Sequence, residues 1–475
     1  MMSKQIIKFC TLIVLSFALV GPALAADPMV EELTQKKLPA LEEPDYNIIT
    51  LPNGVKVYYL QDTQLPIFKM TAYLKIGAIQ EEKAERGFYS AFFSTWRSGG
   101  SQSLSADEVD EKLDFLSASI GASAGVDLSK FGIRCLMKDH KDLLALYFDI
   151  LKNPGFDQKR IDVYKKQALA SIKQRNEEAM DVAQREFAQR LYGEESPYAW
   201  KTTPETINAI TRQKLLQFHK ERVAPNVMMI AATSPLSFDD FLKTLEPHFK
   251  GWDSKAPVYE FPMLVKKEWQ QSTEIIPKEV NQSALVIGHF GDKRFNKDKY
   301  KIILADEMLG GATFGTILGD RLRTELGYVY WVRSNFGLGQ DYGSFKITTQ
   351  TRSEVTVDAI QEIQKLFKSF VEEHDFDEHD LKLAKERLLN RLIFEYDSAF
   401  NLVAMRLTYD YYGYPPNYLA VFQKEIESVT VDQIKQVVGQ YFFPDKLKIM
   451  IVGDVNKIPR LNELPGLKVG ELDQE

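Results

Sequence analysis

The chain has 475 residues, 44% hydrophobic and 26% charged, which is ordinary for a globular protein and long enough for two or more domains. A formal charge of −7 disfavours nucleic acid and anionic membrane as partners, because both are bound through basic patches. Only Cys10 and Cys135 are present, too few for a disulfide framework.

The first 25 residues differ from the rest. Lys4 and Lys8 precede an apolar run from Phe9 to Val20, and Ala23-Leu24-Ala25 offers a small-residue cleavage site. Residues 1–25 therefore read as a signal peptide cleaved near Ala25. A retained anchor is the alternative, since Ile6 to Leu24 is nearly long enough to span a bilayer. Cleavage removes two lysines and no acids, taking the charge from −7 to −9. It leaves Cys135 alone in an apolar strand-like context, where a thiol is most simply a buried hydrophobe. The periplasm of a Gram-negative cell fits this address.

Residues 26–44 are polar with scattered prolines and form a lead-in. Ile48-Ile49-Thr50-Leu51 and Val55 to Leu60 flank Pro52-Asn53-Gly54, a hairpin signal. Ile67 to Ile76 supplies a further strand. The stretch from Gly87 to Gly100 then has the composition of a short buried helix ending in paired glycines, with Ser90 and Ser94 on one face and Phe93 beside them. Ser105-Ala106-Asp107-Glu108 is a capping-box pattern. Ala118 to Val126 carries small side chains, Ala122, Ser123 and Ala124 among them. Such a strand either offers an edge to a second backbone or packs tightly inside the sheet. Ser129 to Leu136 reads as a strand, Asp142 to Leu151 as a helix, and Asp157 to Tyr192 as one long helical stretch.

An internal repeat organises the whole. Phe156-Asp157 recurs as Phe376-Asp377, and Leu191-Tyr192-Gly193 as Tyr411-Tyr412-Gly413, ~220 residues apart. Each copy goes on through a Thr-capped helix and a Pro-containing turn to an apolar strand, Val227 to Ala232 or Leu447 to Val452. The spacing predicts an α+β fold of two tandem halves, 45–250 and 268–475, joined by a linker over 251–267 that is rich in Pro, Lys and aromatics.

The glycine-framed helix resembles the zinc-binding helix of the insulinase/pitrilysin-type metallopeptidases, the mitochondrial processing peptidases included. Their inverted motif is H-x-x-E-H after a glycine. The resemblance puts Ser90 and Ser94 at the two histidines, Phe93 at the general-base glutamate and Ser171 at the third ligand. A serine hydroxyl is a poor zinc donor, and a phenyl ring cannot take a proton from water. No other donor set replaces them: of His140, His219, His248, His289, His374 and His379, only the last two are close in sequence, and a spacing of five sets them ~140° apart on a helix. No cofactor is expected in this chain. The resemblance also implies halves built as mostly antiparallel sheets covered by helices, together forming one side of a clamshell around a peptide chamber.

In the second half, Leu322-Arg323 through Gly327-Tyr328-Val329-Tyr330 is similar to the family's L-R-x-x-x-G-x-x-Y element. There an arginine and a tyrosine hold substrate near the metal; here these are Arg323 and Tyr330, with Tyr328 as the rival. A surface arginine paired with Glu325 and two core aromatics is the plain alternative. The leading expectation is a non-catalytic subunit of a periplasmic heteromeric zinc metallopeptidase, partnered by a homologous chain with the intact motif and zinc. A peptide-binding pseudoprotease or envelope scaffold is the second, and an independently active zinc endopeptidase the least favoured.

Overall fold

The computed structural model describes residues 43–259, 261 and 269–472. The expected signal peptide, nearly all of the lead-in and part of the linker lie outside the described residues. The first half opens with β1 (Asn47–Thr50), β2 (Lys56–Gln61) and β3 (Ile67–Leu74), then α1 (Phe88–Ser98) and α2 (Ala106–Phe115). Next come β4 (Ser119–Ser123), β5 (Ser129–Leu136), α3 (His140–Lys152), α4 (Gln158–Gln174) and α5 (Ala179–Tyr192). α6 (Pro204–Asn208), α7 (Arg212–Arg222), β6 (Met228–Ser234) and α8 (Phe238–Leu245) complete it.

The second half repeats the plan. β7 (Ser272–Pro277), β8 (Gln282–Phe290) and the short β9 (Asp292–Lys293) precede α9 (Lys299–Leu309), a π-helical turn over Gly319–Glu325, and β10 (Val329–Phe336). β11 (Leu338–Gly339), β12 (Ser344–Arg352), α10 (Thr356–Lys368), α11 (Glu378–Glu395) and α12 (Ala399–Tyr412) follow. α13 (Tyr418–Ser428), α14 (Val431–Tyr441), β13 (Lys448–Gly453) and β14 (Leu467–Val469) end it.

The two six-stranded sheets run β1-β2-β6-β3-β5-β4 and β14-β7-β13-β8-β12-β10. Their inner topology is the same. β2 pairs parallel with β6 as β7 does with β13, and the remaining matched pairs are antiparallel. Only one outer strand differs in origin: β1 forms a hairpin with β2, whereas β14 arrives from beyond β13 and lies parallel to β7. The fold is α+β, two homologous halves, each a mostly antiparallel sheet under helices.

The expected continuous helix from Asp157 to Tyr192 is two helices. Arg185 reaches back to cap the first one: its Nη1 donates to the Arg175 carbonyl at 3.0 Å and its Nη2 to Asn176 Oδ1 at 2.6 Å. Carbonyls left open at a helix end are satisfied there without a glycine or proline to announce the break.

The break lets α5 leave its own half. Val182, Ala183, Phe187 and Leu191 pack on Ile276, Ala284, Val286, Met450 and Val452 of the second sheet. α12 does the converse, setting Val403 and Leu407 against Tyr58, Tyr73, Met229 and Ala231 of the first. Each exchanged helix is pinned by charge as well. Asp410 meets Lys56 at 2.8 Å and Tyr58 Oη at 2.7 Å, and Arg190 meets Glu274 at 2.6 Å.

Candidate functional site

The glycine-framed helix α1 is held by buried groups at both ends. Glu81 Oε1 accepts from the backbone N–H groups of Gly87 (3.1 Å) and Tyr89 (2.7 Å), and Arg86 pairs with Oε2 at 2.9 Å. A carboxylate at a helix N-terminus satisfies open N–H donors and opposes the dipole. Gly87 has φ +97°, and a Cβ at Gly99 would stand 2.6–2.8 Å from the backbone of Thr95, Phe156 and Asp157. The framing glycines are thus required by a left-handed turn and by close contact with the start of α4.

Phe93 is fully buried, 5.1 Å from Phe92 and 5.7 Å from Trp96 between ring centres. Ser90 and Ser94 are exposed on the other flank of the helix, and Ser171 is exposed on α4. The four positions thus offer three solvent-facing hydroxyls and a core phenyl group. This set does not fit zinc, which takes imidazole, thiolate or carboxylate donors. Four histidines serve structure instead. The ring nitrogens of His140, His219 and His289 lie 2.6, 2.8 and 2.7 Å from backbone carbonyl oxygens, and His248 stacks on Phe148. Burial pushes His219 down to about 4.

α1 is fastened to the sheet edge. Arg97 Nε donates to the Ile120 carbonyl of β4 at 2.9 Å, and its Nη1 meets Asp110 at 2.7 Å, which Arg160 of α4 joins at 2.8 Å. β4 is the outermost strand of the first sheet. Ala122 and Ser123 lie on it and Ala124 just after; Gly121 is exposed, with nothing within 4 Å of where its Cβ would be.

Arg323 and Tyr330 are brought together. The Arg323 guanidinium lies 4.0 Å from the ring centre of Phe314 and 5.4 Å from that of Tyr330, with Nη1 buried and lacking a hydrogen-bond partner. Tyr330 is 79% exposed and Phe314 62%. Glu325, the alternative partner for Arg323, is taken by Arg321 at 2.7 Å. Tyr330 stands on the outer strand β10 where the register with β12 slips between Val329 and Val332, a bulge that re-aims side chains. Tyr328 precedes the strand; its N–H donates to Leu322 and its carbonyl accepts from Thr351. No hydrogen bond, ion pair or ring contact among the described residues joins the Arg323 cluster to α1 or β4.

The geometry is a repeated α+β shell whose glycine-framed helix presents hydroxyls and a core phenyl group in place of metal-binding residue types. The peptidase M16 inactive domain is matched over residues 209–388 of this chain. The chain is 23% identical over 412 residues to the non-peptidase homolog YmxG of Helicobacter pylori, covering 85% of this chain and 93% of that one. Among solved structures, a peptidase M16 inactive domain from Pseudomonas fluorescens aligns at TM-score 0.77 and 24% identity, over 87% of this chain and 98% of that one. The periplasmic protease PqqL of Escherichia coli aligns at 0.74 and 12% identity, over 92% of this chain and 51% of that one. Among the described residues no helix is long and apolar enough to cross a membrane.

Proposed function

We propose that this chain is the non-catalytic subunit of a periplasmic heteromeric zinc metallopeptidase. A homologous subunit with an intact H-x-x-E-H supplies zinc and base, while this chain closes the peptide chamber. Arg323 and Tyr330 hold the substrate backbone and stabilise charge on the scissile carbonyl oxygen, a role suited to preorganised donors. The edge of β4 at Ala122, Ser123 and Ala124 takes an extended peptide by strand addition. The observation that carries this reading is the Arg323 side chain, set between two exposed rings with Nη1 unpaired. Export to the periplasm is supported by the sequence of residues 1–25 and by the address of PqqL.

The name of the Helicobacter pylori relative, a non-peptidase homolog, favours a second reading: a peptide-binding pseudoprotease or scaffold with no part in hydrolysis. Mixing purified chains separates the two. With the zinc-bearing homologue present, Arg323→Ala should lower kcat/KM for a peptide ~100-fold and Tyr330→Phe about tenfold. Full cleavage by the homologue alone, unaffected by Arg323→Ala in this chain, would leave the second reading standing.

A further inference from the structure

The second half carries a half-open polar cleft of about 540 Å³, within the size range of small-ligand sites. Its walls come from α9, β10, β12 and α11, and Gln184 of the exchanged helix α5 adds a group from the first half. α9 and α11 hold the places in this half that α1 and α4 hold in the other. Ile303, Asp306 and Glu307 line the cavity at i, i+3 and i+4, the spacing of Ser90, Phe93 and Ser94.

The charges facing the cavity do not cancel. Glu307 is 3% exposed and already neutralised, its carboxylate accepting from Arg387 Nε and Arg391 Nη2, each at 3.1 Å. Among the described residues Arg333 bonds only to the Thr313 hydroxyl, at 3.1 Å, and Lys346, held below the usual amine range by burial, has no hydrogen-bond or ion-pair partner. Asp306 lines the wall and is 9% exposed; its carboxyl receives hydrogen bonds from Ser334 and the Phe336 N–H, while its buried Oδ1 has no partner among the described residues. Burial pushes this carboxyl up to about 7. Two cations thus lack a carboxylate, while a buried carboxyl oxygen lacks a hydrogen bond, and an unmet buried polar atom costs ~1–3 kcal/mol.

We propose that this cavity binds the carboxylate end of a short peptide, with Lys346 and Arg333 on the carboxylate and Asp306 on the adjoining amide N–H. A dianion such as phosphate suits the site less, because Asp306 would oppose its second charge and it presents no N–H group. The choice of a peptide as bearer of the carboxylate rests on the peptide-handling reading above. Binding is tested on this chain alone, without partner or hydrolysis, so its failure is separate from failure of the shared-site assay.

The test is calorimetric titration of the full chain with tri-alanine, its C-terminal amide, its N-acetyl form and sodium sulfate. Tri-alanine should bind with millimolar or better affinity, with amidation weakening it at least about tenfold and N-acetylation changing it less than about twofold. Lys346→Gln and Arg333→Gln should each weaken tri-alanine about fivefold or more, with thermal unfolding at or above that of the parent. The proposal is overturned by amide binding as tight as acid, by sulfate competing as well as tri-alanine, by variants that bind like the parent, or by absence of binding.

Discussion

Asp306 shows how one side chain can weaken a fold while furnishing a site. Burial raises its folded pKa from the ordinary carboxylate value of 3.8 to about 7, so between those limits the folded chain binds more protons than the unfolded chain. Stability therefore falls as pH rises through this window and is not penalised below it. The variant Asp306→Asn has no such proton to lose. It should match the parent near pH 4 and exceed it at pH 8, by at most ~4 kcal/mol. Urea denaturation at the two pH values checks this, and a gap that is equal at both would refute it.

At the scale of the element, α1 has been rebuilt as well as emptied. Phe93, which the sequence resemblance puts at the family's general-base position, is packed among Phe92 and Trp96. Restoring the motif residue by residue should therefore give unequal results. Ser90→His and Ser94→His, on the exposed flank, should alter stability within about 0.5 kcal/mol. Phe93→Glu should cost about 3 kcal/mol or more, from the lost ring and a carboxylate set against apolar neighbours. Thermal unfolding of the three variants measures the contrast; a tolerated Phe93→Glu would show that the helix still presents this position to solvent. Much of this element was legible in the sequence. The paired glycines, the helix between them and the Ser105 capping box all form. The division between core and exposed flank was less so, because it depends on which neighbours α3, α4 and β4 place around the helix.

Across the whole molecule, the tandem halves could be read from the repeat and their sheets from the resemblance, but the exchange of α5 and α12 could not. The apolar stripe Val182, Ala183, Phe187 and Leu191 is visible as a period; nothing in a period names the sheet that receives it. The cavity beside Asp306 was hidden for a related reason, since its walls come from segments far apart in the chain. The exchange makes a prediction of its own. Leu407→Ala, in the second half, should lose ~2–5 kcal/mol and raise amide exchange in β2 and β6 of the first half before the strands of its own sheet. Loosening confined to the second half would contradict the packing seen here.

That trade of α5 for α12 also bears on how such a protein persists. Truncating the gene to discard a half that has lost its metal-binding residue types would strip the survivor of a covering helix and expose its apolar sheet. The two halves are therefore kept or discarded together, whatever chemistry either one carries.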